Sequence, residues 1–233
     1  MMHLFYISHI QGDSFVLEEQ ESKHAIRVLR LVRGDGVILV DGKGGWYEAA
    51  IMDDHPKRCK LQIQSYTADY HPLPYELHLA VAPTKNMDRF EWFLEKATEI
   101  GISEITPLIC ARSERRQVKY ERLEKILVSA MKQSLKAYKP KLNNPVVMEE
   151  FLRTDRQGTL GVAHCYPLER KGIKELNHSG NYTLMVGPEG DFTEEEISNA
   201  IKAGYVPFHL GDSRLRTETA ALFIATAISL HHL

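Results

Sequence analysis

A chain of 233 residues holds one large domain or two modest ones, and 43% apolar residues are ordinary for a protein with a packed core. A net charge of −2 argues against indiscriminate polyanion binding, and three widely spaced cysteines (Cys59, Cys110, Cys165) offer neither a disulfide framework nor a zinc spacing. No run reaches the roughly 18 apolar residues of a membrane span, and Met1-Met2-His3-Leu4-Phe5 lacks the parts of a signal peptide, so a reducing, cytoplasmic setting without membrane contact is expected.

Residues 1–70 read as short strands and turns. Met2 to Ile7 is apolar and aromatic, and Ser14 to Leu17 follows a Gly12-Asp13 turn. Val37 to Val40 stops at Asp41-Gly42, a hairpin signal. Trp46 to Ile51 and Cys59 to Ile63 complete a set of about five strands. Between them, Glu21 to Leu31 has apolar residues at 25, 26, 28, 29 and 31, consistent with one short helix. Lys23, Arg27 and Arg30 stand at i, i+4 and i+7, which puts them on one helical face. Lys23 to Arg33 contains no acid, so the pattern is a small barrel with a basic helix. His24, inside that helix, is a candidate RNA contact.

Ala68 to Glu76 holds two prolines and no periodicity, which places a linker there and divides the chain into domains 1–70 and 71–233. Strands and helices then alternate. Leu77 to Ala82 is a strand. Met87 to Ile100 is a helix with Phe90, Phe93, Leu94 and Ala97 along one stripe and Gly101 as its stop. Ile105 to Ile109 is the next strand, and Tyr120 to Lys136 a long helix. From Arg112 to Lys141 there are ten basic and three acidic residues, a local excess of +7. Segregated positive charge in a near-neutral protein marks selective nucleic-acid contact or, more commonly, a solvated helix face. Leu160 to Ala163 is a strand and Leu168 to Leu176 a helix. Alternating units of this kind imply a mostly parallel sheet.

Two strand-to-helix turns follow. Tyr182 to Val186 turns through Gly187-Pro188-Glu189-Gly190 into a helix at Thr193, where Thr193 and Glu196 form a capping box. Val206 to Leu210 turns at Gly211 into a helix near Thr217. Two such turns set backbone N–H groups and positive helix ends side by side, which suits a polar small molecule and not a metal. The last helix, Thr217 to about His231, is apolar nearly all round, so it is buried on most sides, in a dimer interface or in its own core. The phosphate-loop, Rossmann, nucleophile-elbow and zinc-protease motifs are all missing.

The run Val186-Gly187-Pro188-Glu189-Gly190-Asp191-Phe192, with Leu215-Arg216-Thr217-Glu218-Thr219-Ala220, resembles the RsmE family of SPOUT methyltransferases. His24-Ala25-Ile26-Arg27-Val28-Leu29-Arg30 resembles that family's N-terminal H-x-x-R-V-L-R segment. Lys85, Asp88-Arg89 and Glu95 to Gly101 resemble its first catalytic-domain helix, and Arg112-Ser113-Glu114-Arg115 a following basic stretch. The blocks occur in the family's order and cover nearly the whole chain. Two departures stand out. Ser213 occupies a position where the family carries Arg, with Arg214 one residue later. Lys132-Gln133-Ser134-Leu135-Lys136 replaces an E-Q-S-x-R run.

The resemblance implies an α/β protein: a small PUA-like β-barrel for RNA binding, then a SPOUT domain whose end is threaded into a deep trefoil knot. It implies S-adenosylmethionine as cofactor, N3 of one uridine in 16S ribosomal RNA of the small ribosomal subunit as target, and a homodimer. The cofactor would be held by Met185, Val186, Gly187, Pro188, Glu189 and Gly190 of the first turn and Leu210, Gly211, Ser213, Leu215, Arg216 and Thr217 of the second. Uracil N3 is protonated at neutral pH, and a nearby cation would favour its anion. Arg216 is the first choice for that cation and Arg214 the second, with Glu189 as proton acceptor. An ion pair of Arg216 with Glu218 or Glu189 is the structural alternative. RNA docking would fall to His24, Arg27, Arg30, Lys85, Arg89, Arg112, Arg115, Lys132 and Lys136. Two other functions stay open: 2′-hydroxyl methylation of RNA ribose, and non-catalytic RNA binding in ribosome assembly.

Overall fold

The computed structural model describes residues 3–7, 10, 12–177 and 179–233. Met2, first residue of the expected opening strand, lies outside them. The chain forms two compact units, Met1–Pro72 with Met131–Lys139, and Leu73–Ala130 with Pro140–Leu233.

The first unit holds strands β1 (Leu4–Tyr6), β2 (Ser14–Val16), β3 (Gly36–Val40), β4 (Trp46–Asp53) and β5 (Lys60–Thr67), in the order β1-β3-β4-β5-β2. β1 runs parallel to β3 and the other pairs are antiparallel. Register shifts at Glu48/Ala49 and Ile51/Asp53 mark where β4 and β5 bend, as bulges do, and the sheet curls around Phe5, Leu17, Ala25, Leu39, Ile51 and Leu61. The buried hydroxyl of Ser22 donates to Leu17 O and accepts from Cys59 N, both at 2.9 Å, tying the helix to the sheet.

That helix differs from the sequence expectation. α1 spans Glu19–Lys23, and a π-helical turn covers His24–Val28. Arg30 lies beyond it at φ 59°, so Lys23, Arg27 and Arg30 do not share a helical face. Lys23 pairs instead with Glu19 at 2.6 Å. The 131–139 segment adds Met131 and Ala137 to a small cluster with Leu4, Ile38, Val40 and Trp46.

The second unit is an eight-stranded parallel sheet. Its elements are β6 (Glu76–Val81), α2 (Met87–Ile100), β7 (Glu104–Ile109), α3 (Tyr120–Gln133, whose last turn belongs to the first unit), β8 (Lys141–Leu142), β9 (Val146–Val147), α4 (Met148–Leu152), β10 (Thr159–Ala163), β11 (Lys171–Gly172), β12 (Asn181–Val186), α5 (Glu194–Lys202), β13 (Val206–His209) and α6 (Thr217–His231). The order is β11-β13-β10-β12-β6-β7-β8, with β9 also on β7.

Strand alternation splits the core into two layers. Leu77, Leu79 and Val81 of β6, with Leu184 and Val186 of β12, face Phe90, Phe93 and Ile224 of the helices. Ala80, Ala82 and Met185 face the other way, against Phe151, Phe192 and Ile197. α2 begins at Asn86, whose side chain accepts from Asp88 N, and stops at Gly101, held at φ 130°. The α5 capping box forms as read.

One expectation fails here. Residues 168–176 form β11 and a 3-10 turn (Ile173–Glu175), not a helix. Leu168 is half exposed, and Lys171 and Gly172 gain backbone pairing with Phe208 and His209 at the sheet edge. α6 is buried on one face only, through Ala221, Ile224, Ala225 and Ile228, while Phe223 and Leu230 are 45% and 64% exposed. Among the described residues no helix is long and apolar enough to cross a membrane.

Candidate active site

Strands β13, β10 and β12 are neighbours although they are far apart in sequence. Ala163, at the end of β10, pairs with Val186 on one side and Phe208 on the other. Three carboxyl ends therefore finish level, which is where open parallel sheets bind ligands. The loops that leave them, 164–170, 187–192 and 210–216, border one cavity of about 300 Å³. Its floor is apolar (Val186, Phe208, Ala220), and its rim is main chain with a few polar side chains.

The turns are locked to one another. Thr217 Oγ1 donates to Gly187 O at 3.0 Å, joining the start of α6 to the first turn. Asp191, at φ 62°, accepts from Phe192 N through Oδ1 and from Cys165 N through Oδ2, both at 2.8 Å. This binds the loop after β10 to the loop after β12. At Gly187 a Cβ would stand 3.1 Å from two ring carbons of Phe192, so any larger residue would have to push that ring aside by a few tenths of an ångström. Gly211 takes φ 111°, a region that L side chains rarely adopt.

Most of the expected cofactor residues meet at this cavity. Val186, Gly187, Pro188 and Glu189 line it from the first turn, and Leu210, Gly211, Ser213, Leu215, Arg216 and Thr217 from the second. Met185 does not, because it is fully buried in the opposite core layer. Gly190 lies against the Arg112 side chain and lines an adjoining cleft of about 670 Å³ with Tyr166, Arg170 and Arg214.

Arg216 and Arg214 are exposed at the cavity. The Arg216 guanidinium makes no ion pair or hydrogen bond among the described residues. Its alternative partners are turned elsewhere. Glu218 Oε1 is 3.9 Å from Arg89 Nε, and Glu189 Oε1 accepts from Lys85 N at 2.9 Å. Glu189 thereby fastens the first turn to the loop after β6.

The expected RNA contacts divide by unit. In the second, Lys85 pairs with Glu114 at 2.9 Å, whose carboxylate raises its pKa, and Arg115 Nη2 donates to Lys85 O at 3.1 Å. Arg112 Nη1 donates to Tyr166 OH, Gly190 O and Phe192 O at 2.9, 2.8 and 3.2 Å, so it braces the first turn. In the first unit, Lys132 is held by Glu21 at 3.0 Å and lies 5.6 Å over the Phe5 ring. Burial lowers the pKa of Lys136. His24, Arg27 and Arg30 are exposed.

Sequence reading missed His164, Cys165, Arg170 and Asp191 at this cavity. The available signal was position: His164 directly follows a parallel strand, as the Gly turns do. The cavity suits a nucleoside-sized polar ligand, with an apolar floor, a main-chain rim and, at His164, two buried ring nitrogens that lack partners among the described residues. S-adenosylmethionine, implied by the resemblance, fits that description.

The family model of an RNA methyltransferase domain matches residues 71–229, and that of an RNA methyltransferase PUA domain matches 17–64. The chain is 31% identical to ribosomal RNA small subunit methyltransferase E of Synechocystis over 83% of its length and 65% of that protein's. It is 31% identical to the protein of the same name from Rickettsia conorii over 87% of its length and 84% of that protein's. The structure of ribosomal RNA small subunit methyltransferase E from Neisseria gonorrhoeae bound to S-adenosyl methionine superposes with a TM-score of 0.89 at 27% identity, covering 99% of this chain and 98% of that one.

Proposed function

The chain belongs to the ribosomal RNA small subunit methyltransferase E family of RNA methyltransferases, and from that premise we propose that it methylates N3 of a uridine in 16S ribosomal RNA with S-adenosylmethionine. The observation that carries the reading is the convergence of three parallel-strand ends on one cavity, with Thr217 and Gly187 bonded across it. S-adenosylmethionine supplies an electrophilic methyl group when bound.

The chain's own residues do the rest. The Gly187-Pro188-Glu189-Gly190 turn and the 210–217 loop offer main-chain groups to the cofactor, and Val186, Phe208 and Ala220 keep water from its floor. Arg216 brings a positive charge that favours the N3 anion, and Arg214 stands beside the adjoining cleft. Glu189, on the first turn ahead of α5, accepts a proton or orients a ligand group. Tritiated-methyl transfer onto small subunits from cells lacking this protein tests the reading. Label on uridine N3 supports it, and label on ribose or none overturns it.

The same reading places the protein in the cytoplasm and threads the chain end through a deep trefoil knot. The small ribosomal subunit is the partner, and the first unit docks on its RNA. Arg27→Glu/Arg30→Glu should weaken binding of 16S ribosomal RNA and reduce the salt slope by about two units. Titrations across salt concentrations check this, and unchanged binding at all salts would give the first unit another job.

The reading also includes a homodimer formed through α6, supported by Phe223, Leu230 and the 44% exposed Trp92 of α2. Phe223→Glu should shift sedimentation from dimer to monomer at micromolar concentration. A wild-type protein that sediments as a monomer at all concentrations removes the dimer.

A further inference from the structure

His164 is the first residue after β10, and its place is fixed from both sides. Its N–H donates to Phe208 O at 3.4 Å, and its carbonyl accepts from Arg170 Nη1 at 2.5 Å. The residue is 4% exposed in the cavity wall, and neither ring nitrogen has a hydrogen-bond partner among the described residues. A neutral imidazole has one donor and one acceptor. Leaving both without a protein partner contributes nothing to the ligand-free fold, so this ring is not there to stabilise it.

Charged and titratable groups line the same cavity from three loops. Arg170 comes from its own loop, Glu189 and Asp191 from the loop after β12, and Arg214 and Arg216, with His209, from the β13 end and loop. Burial and then Arg170 hold the His164 pKa below the ordinary histidine value, against the pull of Asp191. The ring is therefore neutral at physiological pH. A neutral ring offers one donor and one acceptor on different atoms, and either suits an uncharged hydroxyl or amino group.

We propose that His164 is a specificity residue that hydrogen-bonds the nucleoside half of the ligand, through a ribose hydroxyl or the amino edge of the purine. The inference rests on this cavity being the S-adenosylmethionine site. It assigns a neutral side-chain contact in a pocket whose rim is otherwise main chain and charged side chains.

Calorimetric titration of the full chain with S-adenosylhomocysteine, its 2′-deoxy analogue and its inosine analogue tests it. Wild type should bind the parent about tenfold more tightly than one analogue, and that analogue identifies the group. His164→Phe should weaken parent binding about tenfold and lose the discrimination, while the ligand-free protein melts no lower than wild type. His164→Gln, with a donor and an acceptor, should recover part of both. Wild-type affinity should fall in acid, as protonation removes the acceptor, and that fall should vanish in His164→Phe. Discrimination that persists in both variants overturns the assignment. So does a ligand-free protein destabilised by both, which would make the ring structural. A wild type that binds neither S-adenosylmethionine nor S-adenosylhomocysteine instead overturns the site, and His164 with it.

Discussion

Arg216→Ala lowers the methyl-transfer rate by about 10²- to 10³-fold, the range seen when one preorganised group facing developing charge is removed. The expectation comes from the position of the guanidinium. It is exposed at the cavity, unpaired among the described residues, and held at the start of α6, where its carbonyl accepts from Ala220 N at 2.8 Å. An arginine already neutralised by Glu189 or Glu218 would bring little net charge to a uracil ring. Here Glu189 accepts from Lys85 N, and Glu218, whose Oε1 stands 3.9 Å from Arg89 Nε, makes no ion pair with Arg216.

The pH profile gives the sign. A cation beside N3 lowers its pKa, and each unit corresponds to about 1.4 kcal/mol. Without the cation, the reactive anion is populated only at higher pH. The variant's rate should keep rising with pH where wild type has levelled off. Arg216→Lys should restore part of the rate, since it keeps a charge but not the planar fork. Single-turnover rates from pH 6 to 10, with separate binding titrations, measure this. Full transfer by Arg216→Ala with an unchanged profile would remove Arg216 from the chemistry.

Legibility followed the range of the interactions. The bounds of α2 and the start of α5 could be read because Asn86, Gly101, Thr193 and Glu196 act within one turn of their own helix. The five strands of the first unit and the parallel second sheet were equally visible, since strand and helix periods differ. The misreadings came from contacts distant in sequence. Residues 168–176 have helix-like apolar spacing, but pairing with β13 wins. Met185 and Val186 both sit in an apolar run covered on two faces, so nothing local says which one faces the cavity. His164 was missed for a related reason, although its place directly after a strand was legible. Its importance depends on β10 lying between β12 and β13, an order the sequence does not display.

Phe192→Ala destabilises the second unit by about 3–5 kcal/mol, the usual range for a fully buried aromatic. For a domain of this size that lowers the melting temperature by roughly 10 °C. The ring does more than fill space. It stacks under Gly187 so closely that an added Cβ would stand 3.1 Å from two of its carbons, and so it sets the path of the first turn. Gly187→Ala alone should therefore cost about 1–3 kcal/mol through overpacking. In the Phe192→Ala background part of that penalty should disappear, because the two ring carbons at 3.1 Å are gone while the backbone nitrogen of residue 192, at 3.2 Å, still opposes the new methyl. The two substitutions are predicted to couple by about 1 kcal/mol or more, with a double mutant milder than the sum of its parts. A double-mutant cycle of denaturant unfolding measures the coupling. Additivity within about 0.5 kcal/mol would show that the turn holds its path without the ring. In that case the hydrogen bonds of Arg112, Asp191 and Thr217 would have to account for it alone.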